Sequence, residues 1–158
     1  MYRIGYGEDI HRLVEGRKLI LGGVDIPYHK GLLGHSDADV VCHALCDAML
    51  GALALGDIGS HFPDTDEKFR GANSVDLLKK VNGLIHNAGY EVNNVDISIA
   101  LEKPRLSAYV MAMRSNISSA IEAPISSISL KAMTNEGLDS VGRGEACRAI
   151  AVVLLKRI

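Results

Sequence analysis

The feature that most constrains this chain is its last apolar run, Ala146 to Leu155, which is nearly all aliphatic. A strand without polar alternation is expected to have both of its faces covered. A well-packed monomer supplies such cover as readily as an assembly does. Candidate neighbours lie throughout the chain. Val95, Ile97, Ile99 and Leu101 alternate as a strand until Pro104 breaks it, and Ile128, Leu130 and Ala132 form another. Near the start, Tyr2, Ile4 and Tyr6 alternate with Arg3, Gly5 and Gly7, which suggests a strand with one buried face. Lys18 to Leu21, Gly22-Gly23 and Val24 to Tyr28 read as a hairpin, because the glycine pair supplies the positive φ that a two-residue turn demands.

Three helices separate these strands. The first runs from Val40 to Leu55, with Val41, Leu45, Ala48, Ala52 and Leu55 as its core face and Asp37 or Asp39 as its N-cap. Ser74 caps the second, whose stripe is Val75, Leu78, Val81 and Leu84/Ile85, with Gly89 as the stop. Leu106, Tyr109/Val110, Met113, Ile117 and Ile121 mark the third, ended by Pro124. With 158 residues and 47% hydrophobic content there is material for a real core. Residues 1–158 therefore read as a single α+β domain: a mixed sheet packed against about three helices, plus the small hairpin.

Charge narrows the function. Seventeen basic and 19 acidic residues leave a net charge of −2, with no run of either sign. Neither a nucleic-acid groove nor a membrane-surface patch is expected from that balance. Met1 leads directly into the first strand pattern and no apolar run is long enough to span a bilayer, so a cytoplasmic location is expected. Cys42, Cys46 and Cys147 show no Cys-x-x-Cys spacing and read as small reduced core residues.

The chemistry concentrates between Gly31 and Asp66. There an acid-and-imidazole cluster, His35-Ser36-Asp37-Ala38-Asp39, sits on the start of the first helix. His43 lies four residues after Asp39 and four before Asp47, so the three share a helix face that is either a solvated stripe or a histidine held by carboxylates for a metal. In the first strand, Asp9 and His11 are two apart and aim at a common point. Joined to His43, they make a two-His, one-carboxylate set, and three protein ligands leave open the fourth corner that catalytic zinc needs. Residues 56–73 show no periodicity, and a loop of that length beside His35 and His43 reads as a lid or binding loop. Two strand exits, Leu101 to Arg105 and Met133 to Glu136, are natural ligand positions, with the Thr134 hydroxyl for a base or phosphate and Glu136 for a hard cation.

In combination, Asp9-x-His11, Gly34-His35-Ser36-Asp37-Ala38-Asp39, His43-Ala44-Leu45, Gly56-Asp57-Ile58-Gly59, Phe62-Pro63-Asp64-Thr65-Asp66 and Gly142-Arg143-Gly144-Glu145 resemble the 2-C-methyl-D-erythritol 2,4-cyclodiphosphate synthase family of the non-mevalonate isoprenoid pathway. The likeness covers essentially the whole chain in order. It implies a homotrimer of α+β subunits, sheets facing the central axis, with active sites between neighbours. It also implies conversion of 4-diphosphocytidyl-2-C-methyl-D-erythritol 2-phosphate to the cyclic diphosphate and CMP. By this resemblance Asp9, His11 and His43 hold one Zn²⁺ per subunit, and Glu136 holds Mg²⁺ or Mn²⁺ with the substrate diphosphate. His35 and Ser36 touch substrate phosphate, with His35, Asp57, Thr134 and Glu136 as the catalytic set. Asp57, Ile58 and Gly59, with Phe62, Pro63, Asp64, Thr65 and Asp66, line the methylerythritol pocket and its cover. Leu101, Glu102, Lys103, Pro104, Arg105, Leu106 and Ser107 form the cytidine and diphosphate pocket of the adjoining subunit together with Met133, Thr134, Asn135 and Glu136. Arg143 is an anion contact on the axis, but Ser140 stands where the family often has an aromatic residue. Two other readings fit the same residues: a zinc-dependent phosphate-ester hydrolase, and a non-catalytic trimeric module that binds nucleotides or prenyl phosphates.

Overall fold

Antiparallel pairing of the two chain ends anchors the sheet. The computed structural model describes every residue from Met1 to Ile158. Its strands are β1 (Tyr2–Glu15), β2 (Leu19–Leu21), β3 (Val24–Ile26), β4 (Lys30–Leu32), β5 (Tyr90–Ala100), β6 (Ile128–Met133) and β7 (Ala146–Arg157). Its helices are α1 (Val40–Ala52), α2 (Ile58–His61), α3 (Ser74–Asn87), α4 (Val110–Ile121) and α5 (Asp139–Gly142). Five strands form one sheet in the order β4-β1-β7-β5-β6, with β2 and β3 apart as the expected hairpin. Only β5 and β6 run parallel, so the sheet is mixed, and the aliphatic run is its central strand.

Long helices number three, as read from periodicity; α2 and α5 are single turns too short to carry any. The loop from residue 56 to 73 is accordingly less bare than its sequence, holding α2 and a 3₁₀ turn at Glu67–Phe69. The strand β4 also lacked a signal, being three residues of which one is Gly31. Of the two candidate caps, Asp39 is the N-cap of α1, and Asn73 rather than Ser74 caps α3. Leu55 lies beyond the end of α1 and is exposed.

The first strand turns over the expected face. Gly5 and Gly7 are buried, whereas Tyr2, Ile4, Tyr6 and Ile10 stand out from the other side at 64, 72, 58 and 50% exposure. The glycines face α1, and a Cβ at either would collide with the carbonyl oxygens of Ala48 and Ala44. Absence of side chains thus lets α1 lie against the strand backbone. On this side Cys147, Ala149, Ala151 and Val153 of β7 and Val95, Ile97 and Ile99 of β5 continue the core. The opposite side of β1 and β7 has no layer over it: Val152, paired with Tyr6, is exposed too, so the aliphatic run expected to be covered on both faces is covered by its own chain on one only. The three cysteines are free and buried, with burial pushing each thiol up in pKa, as expected of core residues.

Candidate metal centre and its pocket

The glycine side of β1 continues, two residues at a time, through Asp9 and His11. Close approach of α1 at Gly5 and Gly7 carries its first turns over this end of the strand, and His43 meets both residues there. The ligand atoms of Asp9, His11 and His43 all lie within 4.8 Å of one another. Asp9 Oδ2 is the hub, 3.1 Å from His11 Nε2 and 3.0 Å from His43 Nδ1. The two rings stand nearly edge to face, at 61° and 5.7 Å between centroids.

Hydrogen bonds on the far side of each ring assign its tautomer. Carbonyl oxygen cannot donate, so His11 Nδ1–H donates to Leu33 O at 2.6 Å. The segment on either side of that carbonyl is held in turn by Arg17, whose guanidinium donates to Leu32 O, Gly34 O and Ser36 O. His43 Nε2 lies 2.8 Å from Ser74 Oγ and 3.2 Å from Ser36 Oγ. Ser74 gives its own proton to Asp37 Oδ1, so its oxygen accepts from His43 Nε2–H. Each neutral ring then points a lone pair at a carboxylate oxygen. Three acceptors converging on so small a volume call for a cation between them, either a proton or a metal ion. His11 is held above the ordinary imidazole value, chiefly by its bond to Asp9 and against burial. Burial pushes the Asp9 carboxyl up, but the bonds from His11 and His43 outweigh it and hold it below the usual range.

The carboxylates that share His43's helix face do other work. Asp39, fully buried, accepts from the amides of Gly22, Gly23, Val41 and Cys42, tying the hairpin turn to the start of α1. Asp47 Oδ1 accepts from Ile58 N at 2.7 Å and so anchors α2. The spacing of Asp39, His43 and Asp47 therefore pointed to the wrong partners, and Ser74, Asp37, Leu33 and Arg17 went unrecognised. No local signal could have shown them, since Ser74 and Asp37 reach the ring only through the fold.

Beside the triad opens a cavity of about 420 Å³ lined by Asp9, His11, Gly34, His35, Ser36, His43, Ile58, Gly59, Phe62, Pro63, Asp64, Phe69 and Leu77. Ten of these are residues named from the sequence as site residues or metal ligands; Gly34, Phe69 and Leu77 are additions. Phe62 and Phe69 meet edge to face at 5.4 Å, with Lys68 and Lys80 over the Phe69 ring. His35 Nε2 lies 3.1 Å from Asp66 O, and His35 O accepts from Gly71 N. Asp57 caps α2 through Oδ1, which takes both the amide and the hydroxyl of Ser60; these bonds hold its carboxyl low. Asp57, Thr65 and Asp66 stand near the cavity in sequence but are not among its lining residues.

The second group of predicted residues forms a separate cluster at the ends of β5 and β6. Leu101 N donates to Met133 O at 2.9 Å, and Asn135 N to Glu102 Oε1 at 2.6 Å. Glu136 N donates to Thr134 Oγ1 in a turn where Glu136 has φ 53°. None of Leu101 to Ser107 or Met133 to Glu136 lines the cavity at the triad. Arg143 is exposed and paired with Glu145. A larger cavity, about 550 Å³ beside Asp96, Arg114 and Ser127, contains none of the predicted residues.

Comparison with known proteins covers the chain from end to end. A family model described as the YgbB family matches residues 2–156. A 2-C-methyl-D-erythritol 2,4-cyclodiphosphate synthase from Trichlorobacter lovleyi is 58% identical over 153 residues, 97% of this chain and 98% of that protein. Among solved structures, the bifunctional IspDF from Campylobacter jejuni superposes with a TM-score of 0.96 at 42% identity over 100% of this chain, which spans only 43% of that longer chain. A 2C-methyl-D-erythritol-2,4-cyclodiphosphate synthase solved with CDP bound gives 0.90 at 42% identity, covering 98% of this chain and 100% of that one.

Proposed function

The chain belongs to the YgbB family, and on that premise we propose that it is a 2-C-methyl-D-erythritol 2,4-cyclodiphosphate synthase of isoprenoid biosynthesis. In the proposed reaction the 2-phosphate of 4-diphosphocytidyl-2-C-methyl-D-erythritol 2-phosphate attacks the β-phosphorus, closing the cyclic diphosphate and releasing CMP. The observation that carries the reading is the convergence of Asp9, His11 and His43 on one point in the wall of a cavity. Their donor set, two imidazoles and a carboxylate, suits zinc and leaves a corner for substrate oxygen. Glu136 is the proposed protein ligand for Mg²⁺ or Mn²⁺. When bound, these ions supply Lewis acidity and offset the charge that gathers as one phosphate approaches another.

The rest falls to side chains. His35 and Ser36, adjoining the triad, hold phosphate oxygens. Asp57 has Oδ1 committed to Ser60, which leaves Oδ2 to accept from the diol hydroxyls. A phosphate monoester is ionised near neutral pH, so no side-chain base is required, and catalysis is mainly positioning. Phe62, Pro63 and Phe69 give the cavity an apolar wall that excludes water, whose attack would yield a linear product.

Cytidine recognition falls to the second cluster, Leu101 to Ser107 with Met133 to Glu136, in a neighbouring subunit. Two features support such an assembly: this cluster stays off the cavity of its own chain, and the outer side of β1 and β7 carries Tyr2, Ile4, Tyr6, Ile10 and Val152 bare. An exposed apolar patch supports an interface between copies, and the proposal takes it as the axial face of a homotrimer. No helix is long and apolar enough to cross a membrane. Product analysis tests the function: cyclic diphosphate and CMP in equal yield are expected, whereas linear diphosphate would make the protein a hydrolase.

A further inference from the structure

Resting on the metal-centre reading above, we propose that Ser74 and Asp37 are positioning residues that fix the tautomer and orientation of His43 for metal binding. Ser74 is the first residue of α3 and has no exposed surface. A serine there could serve the helix as its cap, but that place belongs to Asn73, which accepts from Val75 N. Ser74 instead turns its hydroxyl toward the metal triad. Asp37 takes both of its protons: Ser74 N donates to Oδ2 at 3.0 Å, and the hydroxyl donates to Oδ1. Asp37 itself is fixed by the amides at either side, since Asp39 N donates to its Oδ1 and its own N–H donates to Ala72 O.

Direction follows from this arrangement. Asp37 accepts, Ser74 donates to it, and the one role left to the serine oxygen toward the ring is to accept from His43 Nε2–H. Ser36 Oγ, 3.2 Å from the same nitrogen, already accepts from Ala38 N and is the weaker partner. With Nε2 engaged by Ser74, His43 Nδ1 is the nitrogen turned toward Asp9 Oδ2 and left to ligate. Outer-shell partners of this kind commonly change metal affinity by about 10–100-fold when removed. The same contacts join the end of the 56–73 loop to the metal site, because Ser74 follows that loop directly.

The test uses the full-length protein, with Asp37→Asn and Ser74→Ala each confirmed folded by circular dichroism. Imidazole ¹⁵N shifts read the His43 tautomer in the metal-free protein, and chelator competition reads zinc affinity. The parent is expected to hold the Nε2–H form. Asp37→Asn, which lets the serine hydroxyl turn toward the ring, is expected to raise the Nδ1–H population. Both variants should bind zinc about 10–100-fold more weakly. An Nδ1–H tautomer in the parent, or parent-like affinity in both folded variants, overturns the proposal. A parent that shows the Nε2–H form and yet binds no zinc overturns the metal-centre reading instead.

Discussion

Asp9, His11 and His43 respond to protons and metal in opposite ways, and the sign can be worked out. Without metal, the His11 contribution to stability is fully present below the unfolded imidazole value of 6.5 and is lost as pH rises through the higher folded value. The Asp9 contribution is present above 3.8 and is lost as pH falls through its depressed folded value. The metal-free site thus favours folding most between about pH 4 and 6.5. Zinc needs the same imidazoles deprotonated. The rise in melting temperature on adding zinc is therefore expected to be larger at about pH 8 than at about pH 5.5; an increment independent of pH would contradict the assigned ligands. Single substitutions sharpen this. His11→Ala or His43→Ala is expected to abolish zinc binding and turnover while circular dichroism stays parent-like. At this scale the sequence was legible where chemistry is local. Asp9-x-His11 works because residues two apart on a strand share a side, whereas the partners of His43 arrive from Ser74 and Asp37 and leave no spacing to find.

Between elements, the controlling contact is α1 on β1. Gly7→Ala would drive a methyl into the Ala44 carbonyl, at a cost of about 1–3 kcal/mol, and lift His43 away from Asp9. Lower denaturation midpoint together with weaker zinc binding is expected; a loss of stability with unchanged zinc affinity would separate the two. Asp39 is the second control, joining the β2–β3 turn to the N-terminus of α1 through four backbone amides. Asp39→Asn sets an amide nitrogen against some of those donors and is expected to cost about 2–3 kcal/mol, read by chemical denaturation. The three long helices and the hairpin could be read from pattern alone, whereas the cover expected on both faces of the aliphatic strand is met within the chain on one face only. The side of β1 could not, because Tyr2, Ile4 and Tyr6 carry the same alternation whether they face a core or a partner, and the glycines that do the packing look like gaps.

For the whole molecule, the bare side of the sheet is the feature a single chain does not explain. Tyr6 and Val152 sit side by side across β1 and β7 in its middle. Val152→Glu is expected to lower the solution mass to that of a monomer and to abolish turnover, with zinc still bound because the triad comes from one chain. Full turnover by a monomeric variant would refute the shared active site. Glu136→Gln is expected to weaken activation by Mg²⁺ without loss of zinc; a magnesium titration matching the parent's would remove Glu136 from that role. All of this depends on a metal held at the Asp9–His11–His43 point in each copy of an assembled protein. Native mass spectrometry of the purified chain tests that most directly. The expected result is a homotrimer carrying as many zinc ions as chains, and a zinc-free trimer or a zinc-free monomer would contradict it.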